Sequence, residues 1–342
     1  MVLNHILSEF IRNIKYRLLL LFMTINSEIL DTILKKVLDL KPNESFLVAT
    51  DEPKKELAIQ IYEYAKNITP SARIEIIKEL ERNGQEPEPE VAELMLNHDV
   101  QFYITSKSLS HTNARRNATK KGHRIISAPG LTYDMMKRCV DIDYDNMINL
   151  HNNLRPIIAN SKEIYITTKA GTNIRIAVHD TQGYSDNLLK NKKGAFGNLP
   201  TGEIDSGIVR EKTNGIIVFD GSFPGLGLLE KPIKVKVVDG VGTIIIDNDK
   251  AKILHNMLKD VGPNAFRLAE LGIGTNPKAI LTGNVLEDEK VLGTVHFAFG
   301  NDLSYNGTND VPLHLDGVIK EPTLKVDNKI IMKDGEFIDE FY

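Results

Sequence analysis

The rhythm of apolar and polar positions changes near residue 156. Before it, helical and strand-like periods alternate. Glu28–Asp39, Lys54–Asn67, Pro89–Asn97 and Ser110–Lys121 space their apolar residues for helices, and Ser45–Thr50, Arg73–Lys78, Val100–Thr105 and His123–Ser127 are short apolar runs. Such alternation predicts βαβ units and a mostly parallel sheet. From about residue 163 the pattern becomes short strands between glycine turns: Ile164–Thr168, Ile174–Val178, Gly215–Asp220, Ile233–Asp239 and Thr243–Asp247, interrupted by one helix over Asp249–Leu258. Closely spaced strands with hairpin turns predict an antiparallel, barrel-like or strongly curved sheet. Glycine follows the same division, with Gly84, Gly122 and Gly130 before residue 156 and the other 21 of the 24 after it. The expected organisation is an extension over 1–22, an α/β domain over 23–155 and a β-rich domain over 156–342 that carries the chemistry.

Candidate chemistry sits in the second half. Val311–Ile319 reads as a strand, and residues i and i+2 of a strand share a face, so His314 and Asp316 stand side by side. In the strand-like run Val291–Gly300, Val295, Phe297 and Phe299 form a bulky face, and His296 lies opposite with Thr294 and Ala298. Glu270 interrupts an apolar run, and Glu203 follows Pro200-Thr-Gly202, where a turn can aim it into a cleft. A lone histidine in a strand is most often a satisfied polar residue, so the weight lies in the set. Three carboxylates and two imidazoles suit one or two divalent ions such as Zn, Co or Mn, whereas calcium prefers all-oxygen ligands. Two ions ~3.5–4 Å apart would activate water and polarise a carbonyl.

Composition narrows the classes. At 342 residues the chain can bury a sizeable core, and its mixed charges, net −4, give no electrostatic case for nucleic acid. The single cysteine, Cys139, excludes an intrachain disulfide and fits a reducing cytoplasm. The apolar run Arg17–Met23 is too short to span a bilayer, and Ser27 reads as the N-cap of the first helix. No Gly-x-Gly-x-x-Gly or Walker-type loop follows an early strand. The polar segment Thr105–Arg116 reads as a helix start capped by Ser110; the competing reading has Ser106, Ser108, His111 or Arg115 reaching a substrate cleft. His111 is grouped with the histidines assigned structural roles.

Ala269–Pro277, Gly283–Lys290, Gly293–Asn301 and His314–Asp316, in that order, with Asn198–Glu203 before them, resemble the aminopeptidase T and aminopeptidase S family of metallopeptidases. The resemblance implies an N-terminal α/β domain, a C-terminal β-rich domain with two metal ions, a homodimer and peptide substrates. Carried over by position, it implies metal ligands at Glu203, Glu270, His296, His314 and Asp316, with Glu203 and Glu270 also catalytic. The family's active-site tyrosine falls at Leu303 here, and Tyr305 is the nearest replacement; Gly202 stands where the peptidases often have a second acid. The expected activity is that of a cytoplasmic metal-dependent aminopeptidase. Two other readings stay open. The same fold is similar to that of a non-haem iron dioxygenase that opens dihydroxypyridine rings at a single Fe(II), and a non-catalytic ligand-binding relative would tolerate the missing tyrosine.

Overall fold

The structure is a computed structural model that describes residues 24–179 and 191–341. The predicted extension over 1–22 lies outside the described residues. No helix among those described is long and apolar enough to cross a membrane.

The first half is built on five parallel strands in the order Ala72–Ile76, Phe46–Thr50, Val100–Ile104, Arg124–Ser127 and Phe196–Asn198. The interior strand Phe46–Thr50 is buried throughout, as a strand covered on both faces must be. Its alternating side chains divide between two cores. Phe46 and Val48 join Ile29, Leu57, Ile61 and Met136, while Leu47 and Ala49 join Met95, Leu109 and Ala118. The helices Lys55–Ala65, Pro89–Leu96 and Asn113–Lys120 fall within three residues of their predicted bounds. Two caps differ from expectation. Asn26, not Ser27, accepts the Ile29 N–H, at 2.8 Å, and Thr112, not Ser110, accepts the Arg115 N–H, at 3.2 Å. Ser110 is thereby left for another role.

The fifth parallel strand comes from residues beyond the expected boundary at 155/156. Phe196–Asn198 pairs with Arg124–Ser127, so the first sheet is completed by the second half of the chain.

The second sheet is antiparallel and curled. Its order runs His314–Ile319, Val295–Gly300, Leu268–Gly274, Glu203–Phe219, Asn173–Val178, Ile164–Thr167, Thr323–Val326 and Lys329–Lys333, with the hairpin Ile233–Val238 and Val241–Ile245 branching from the far end of the long strand. The mixed α/β architecture with a β-rich second half agrees with expectation. A core of aliphatic and phenylalanine side chains, including Phe219, Phe223, Phe297 and Phe299, fills the concave side under the helix Asp249–Val261. That bulky face of Val295–Gly300 turns His296 to the opposite face, toward the parallel sheet's end of the molecule.

Candidate metal centre

Three neighbouring strands bring the candidate residues together by register. Glu270 pairs with Ala298, which pairs with Asp316, so two carboxylates flank one methyl group across the sheet. Two residues along, on the same face, His296 stands between Gly272 and Val318, and His314 stands opposite Gly300. Glu203 begins the next strand, opposite Gly274. Two glycines make the room. A Cβ on Gly272 would meet His296 Nε2 at 1.9 Å, and one on Gly202 would meet Asn276 Cβ at 2.7 Å at a φ of 125°, a backbone that L side chains rarely adopt.

The donor atoms converge. Glu270, His296 and Asp316 each offer one ligand atom, all within 4.8 Å of one another. His296 Nε2 lies 3.4 Å from a Glu270 oxygen and 3.4 Å from a Glu203 oxygen. His314 Nε2 is 2.8 Å from Glu270 Oε2 and 3.3 Å from Asp316 Oδ1. All five predicted residues therefore meet at one place, and Glu270 and His296 are almost wholly buried.

The state of His314 decides how this set reads. Its Nδ1 lies 2.8 Å from the Asn301 carbonyl, which can only accept, so Nδ1 carries the hydrogen. In the neutral ring the Nε2 lone pair then faces two carboxylates, an arrangement that needs a cation between them. Without a metal ion the cation is a proton. Burial works against charge on both imidazoles, but the carboxylates raise His296 to about 9, chiefly through Glu270, and raise His314 well above the ordinary value, chiefly through Asp316. Burial likewise opposes charge on Glu270, yet the two imidazoles hold its carboxyl well below the usual range. Asp316 Oδ1 is buried with no hydrogen bond among the described residues beyond its 3.3 Å ion-pair contact with His314. A divalent ion fits this donor set, since it satisfies that oxygen and replaces the protons on both rings.

Sequence reasoning gave no role to Lys290 and Glu289, and it named His111 only in its competing reading. Lys290 is fully buried, 2.6 Å from Glu203 Oε1 and in contact with Glu289. Burial works against its ammonium, but the two carboxylates outweigh burial and raise its pKa. Burial pushes Glu289 up to about 8 despite Lys290, and Glu203 and Asp316 add to the rise. His111, assigned a structural role above, stacks on His314 with ring centroids 4.6 Å apart. The only hints were a lysine beside a glutamate before a buried strand and the polar run around Ser110.

Tyr305 reaches the centre from the short helical turn Leu303–Tyr305, which ends at Asn306 with a φ of 59°. Its ring lies 6.1 Å from that of His314. Burial, then the charge of Glu270, holds the phenol well above its usual pKa. Leu303 and Ser304 line the same cleft as Tyr305 and Glu203.

Two clefts meet at the centre. One, of about 450 Å³, is lined by Ser106, Ser110, Asn198, Asn284, His314 and Asp316, with His111 between them. The other, of about 370 Å³, runs past Arg115, Arg116, Phe196, Glu203 and Tyr305. Ser110, His111 and Asn198 border both, and Ser110 is held there by a 2.9 Å hydrogen bond to Ser127.

Known proteins place this arrangement. A 2,5-dihydroxypyridine dioxygenase from Pseudomonas putida KT2440 superposes with a TM-score of 0.78 at 14% identity, covering 92% of this chain and 98% of that one. Wild-type AmpT from Thermus thermophilus superposes with a TM-score of 0.64 at 15% identity, covering 90% and 98%. Among curated proteins, none matches the chain in sequence. The likeness to aminopeptidase T is thus one of fold. The expectation of a peptide-cleaving hydrolase is overturned by the family model, which matches residues 40–339 and describes NicX, 2,5-dihydroxypyridine 5,6-dioxygenase. The motifs shared with the peptidases lie on the strands that build the common scaffold, and a scaffold does not fix the reaction. The chain belongs to the NicX, 2,5-dihydroxypyridine 5,6-dioxygenase, family.

Proposed function

We propose that this protein is an oxidoreductase that opens a hydroxylated pyridine ring with dioxygen, using a single Fe(II) held by the imidazoles of His296 and His314 and the carboxylates of Glu270 and Asp316. The observation that carries this reading is the family match across residues 40–339. The donor set supports it, because imidazoles combined with carboxylates suit non-haem Fe(II) with coordination positions left open.

When bound there, Fe(II) supplies the electron chemistry that makes dioxygen reactive toward the ring. The chain's own groups do the rest. The Asn301 carbonyl holds the His314 ring by its Nδ1–H and so fixes the direction of Nε2. The stacked rings of His111 and His314 form a flat wall along the larger cleft, against which an aromatic substrate can lie. Ser110, Asn198 and Asn284 offer hydroxyl and amide groups to ring substituents. A volume of about 450 Å³ accepts a single ring with its hydroxyls, and it lies in the range of ordinary small-molecule sites.

The test is anaerobic reconstitution with Fe(II), followed by addition of 2,5-dihydroxypyridine and dioxygen. The expected result is uptake of one dioxygen per ring with loss of the ring's absorbance. Fe(II)-loaded protein that consumes no dioxygen with this or related dihydroxypyridines overturns the proposal.

A further inference from the structure

Lys290 takes no part in the chemistry above, yet no other ammonium in the described residues is so completely enclosed beside the centre. It follows the short helix Val285–Asp288. Its backbone is fixed on both sides, with its N–H donating to the Glu287 carbonyl and its own carbonyl accepting from Asn276, each at 2.8 Å. From this anchored backbone the side chain runs inward, and Nζ ends 2.6 Å from Glu203 Oε1 and against Glu289. Glu203, Glu289 and His296 themselves offer three ligand atoms within 4.8 Å of one another. The centre therefore has two corners of donors, and His296 belongs to both.

We propose that Lys290 is the permanent cation of the Glu203/Glu289 corner, which leaves His296 to the Glu270/Asp316 corner and limits the centre to one divalent ion. The ammonium donates to the carboxylate oxygens that a second ion would need, and its positive charge repels such an ion at close range. A lysine is well suited to this task because its charge is compact and its donors can turn toward two partners at once. The inference rests on the single-ion reading above and assigns a cause to it.

Full-length metal-free protein titrated with Mn(II), read by elemental analysis and electron paramagnetic resonance, tests the assignment. Wild type should bind one ion per chain with an isolated-ion spectrum. Lys290→Met, kept in Mn(II) throughout, should bind a second ion and show a spin-coupled spectrum. Glu203→Gln, which keeps the Lys290–Glu289 pair, should bind one ion with affinity within about threefold of wild type, well short of the 10–100-fold loss typical when a group supporting a metal site is removed. One ion in Lys290→Met at saturating Mn(II), or a loss beyond about tenfold in Glu203→Gln, overturns the inference and leaves the single-ion reading standing. If Lys290→Met cannot be obtained folded, Glu203→Gln decides alone. Two ions in wild type would overturn the inference and the single-ion reading together, and no bound ion would overturn the proposed function first.

Discussion

At the end of the parallel sheet, Arg124 gives two guanidinium nitrogens to the two oxygens of Glu44, at 2.7 and 2.8 Å, and adds bonds to the carbonyls of Leu38 and Asp39. On the curled sheet, Glu203, Glu270, Glu289 and Asp316 crowd around one ammonium and two imidazoles. Both clusters keep charge out of water, but the first is complete as it stands, with one cation, one anion and their hydrogen bonds. The second sets four carboxylates against one permanent cation, and the excess is offset only by protons on His296, His314 and Glu289. Burying unbalanced charge lowers stability, so a fold retains it where the imbalance serves a ligand. The comparison separates a group that holds the structure from groups that wait for an ion.

The sharpest way to break this contrast is to remove a member of the unbalanced cluster. His314→Ala and Asp316→Ala should each weaken divalent-metal binding by more than about 100-fold, beyond the 10–100-fold typical of groups that merely support ligands. Metal analysis of both purified variants checks this, and wild-type stoichiometry in both would leave the centre without its assigned holders. Arg138→Met tests a balanced pair at the junction of the two halves. It strips Glu287, which is fully buried, of its only ion-pair partner among the described residues, so a loss of about 3 kcal/mol in denaturant unfolding is expected.

A smaller effect is expected where space, not charge, is altered. Gly272→Ala drives a methyl into the His296 ring, which should cost about 2 kcal/mol of stability and weaken metal binding measurably, while Gly84→Ala, in open space, should leave metal binding unchanged. The least is expected from the balanced surface-side pair. Hydrogen bonding from Arg124 first, against the pull of burial, lowers the Glu44 pKa from its ordinary 4.5. The contribution is therefore full above pH 4.5 and is lost as pH falls through the lower folded value. Arg124→Met should cost about 1 kcal/mol at neutral pH. The gap to wild type should close in acid, and a gap that persists there would show that the arginine acts through packing instead.

Sequence periodicity revealed most of the scaffold because each half follows a period set by its own burial. The fully apolar run Phe46–Thr50 and the alternating Ile233–Val238 are signatures of strands covered on two faces and on one. The residues of the centre were legible for the same reason. His296 and Asp316 break apolar runs whose strand character fixes the face they occupy. Lys290 and Glu289 were not legible, since adjacent opposite charges usually mark a solvated surface and only the tertiary fold encloses them. His111 was named only in the competing reading of Thr105–Arg116, because its partner ring is His314, on a distant strand. The reaction class was the largest error. Motifs shared by the scaffold say which strands bear donors, but the nature of the bond cleaved depends on ion count and substrate cleft, which no short motif encodes.

The strand Phe196–Asn198 carries a consequence for the order in which the molecule is made. During synthesis from the N-terminus, the first four parallel strands leave the ribosome while their edge, Arg124–Ser127, still lacks a neighbour. An unfilled edge is open to pairing with any other extended chain. The first sheet therefore has to wait for residue 198, and the residues that close it lead within five positions to Glu203 at the metal centre. Completion of the early sheet and delivery of the first carboxylate are a single event in the life of the nascent chain.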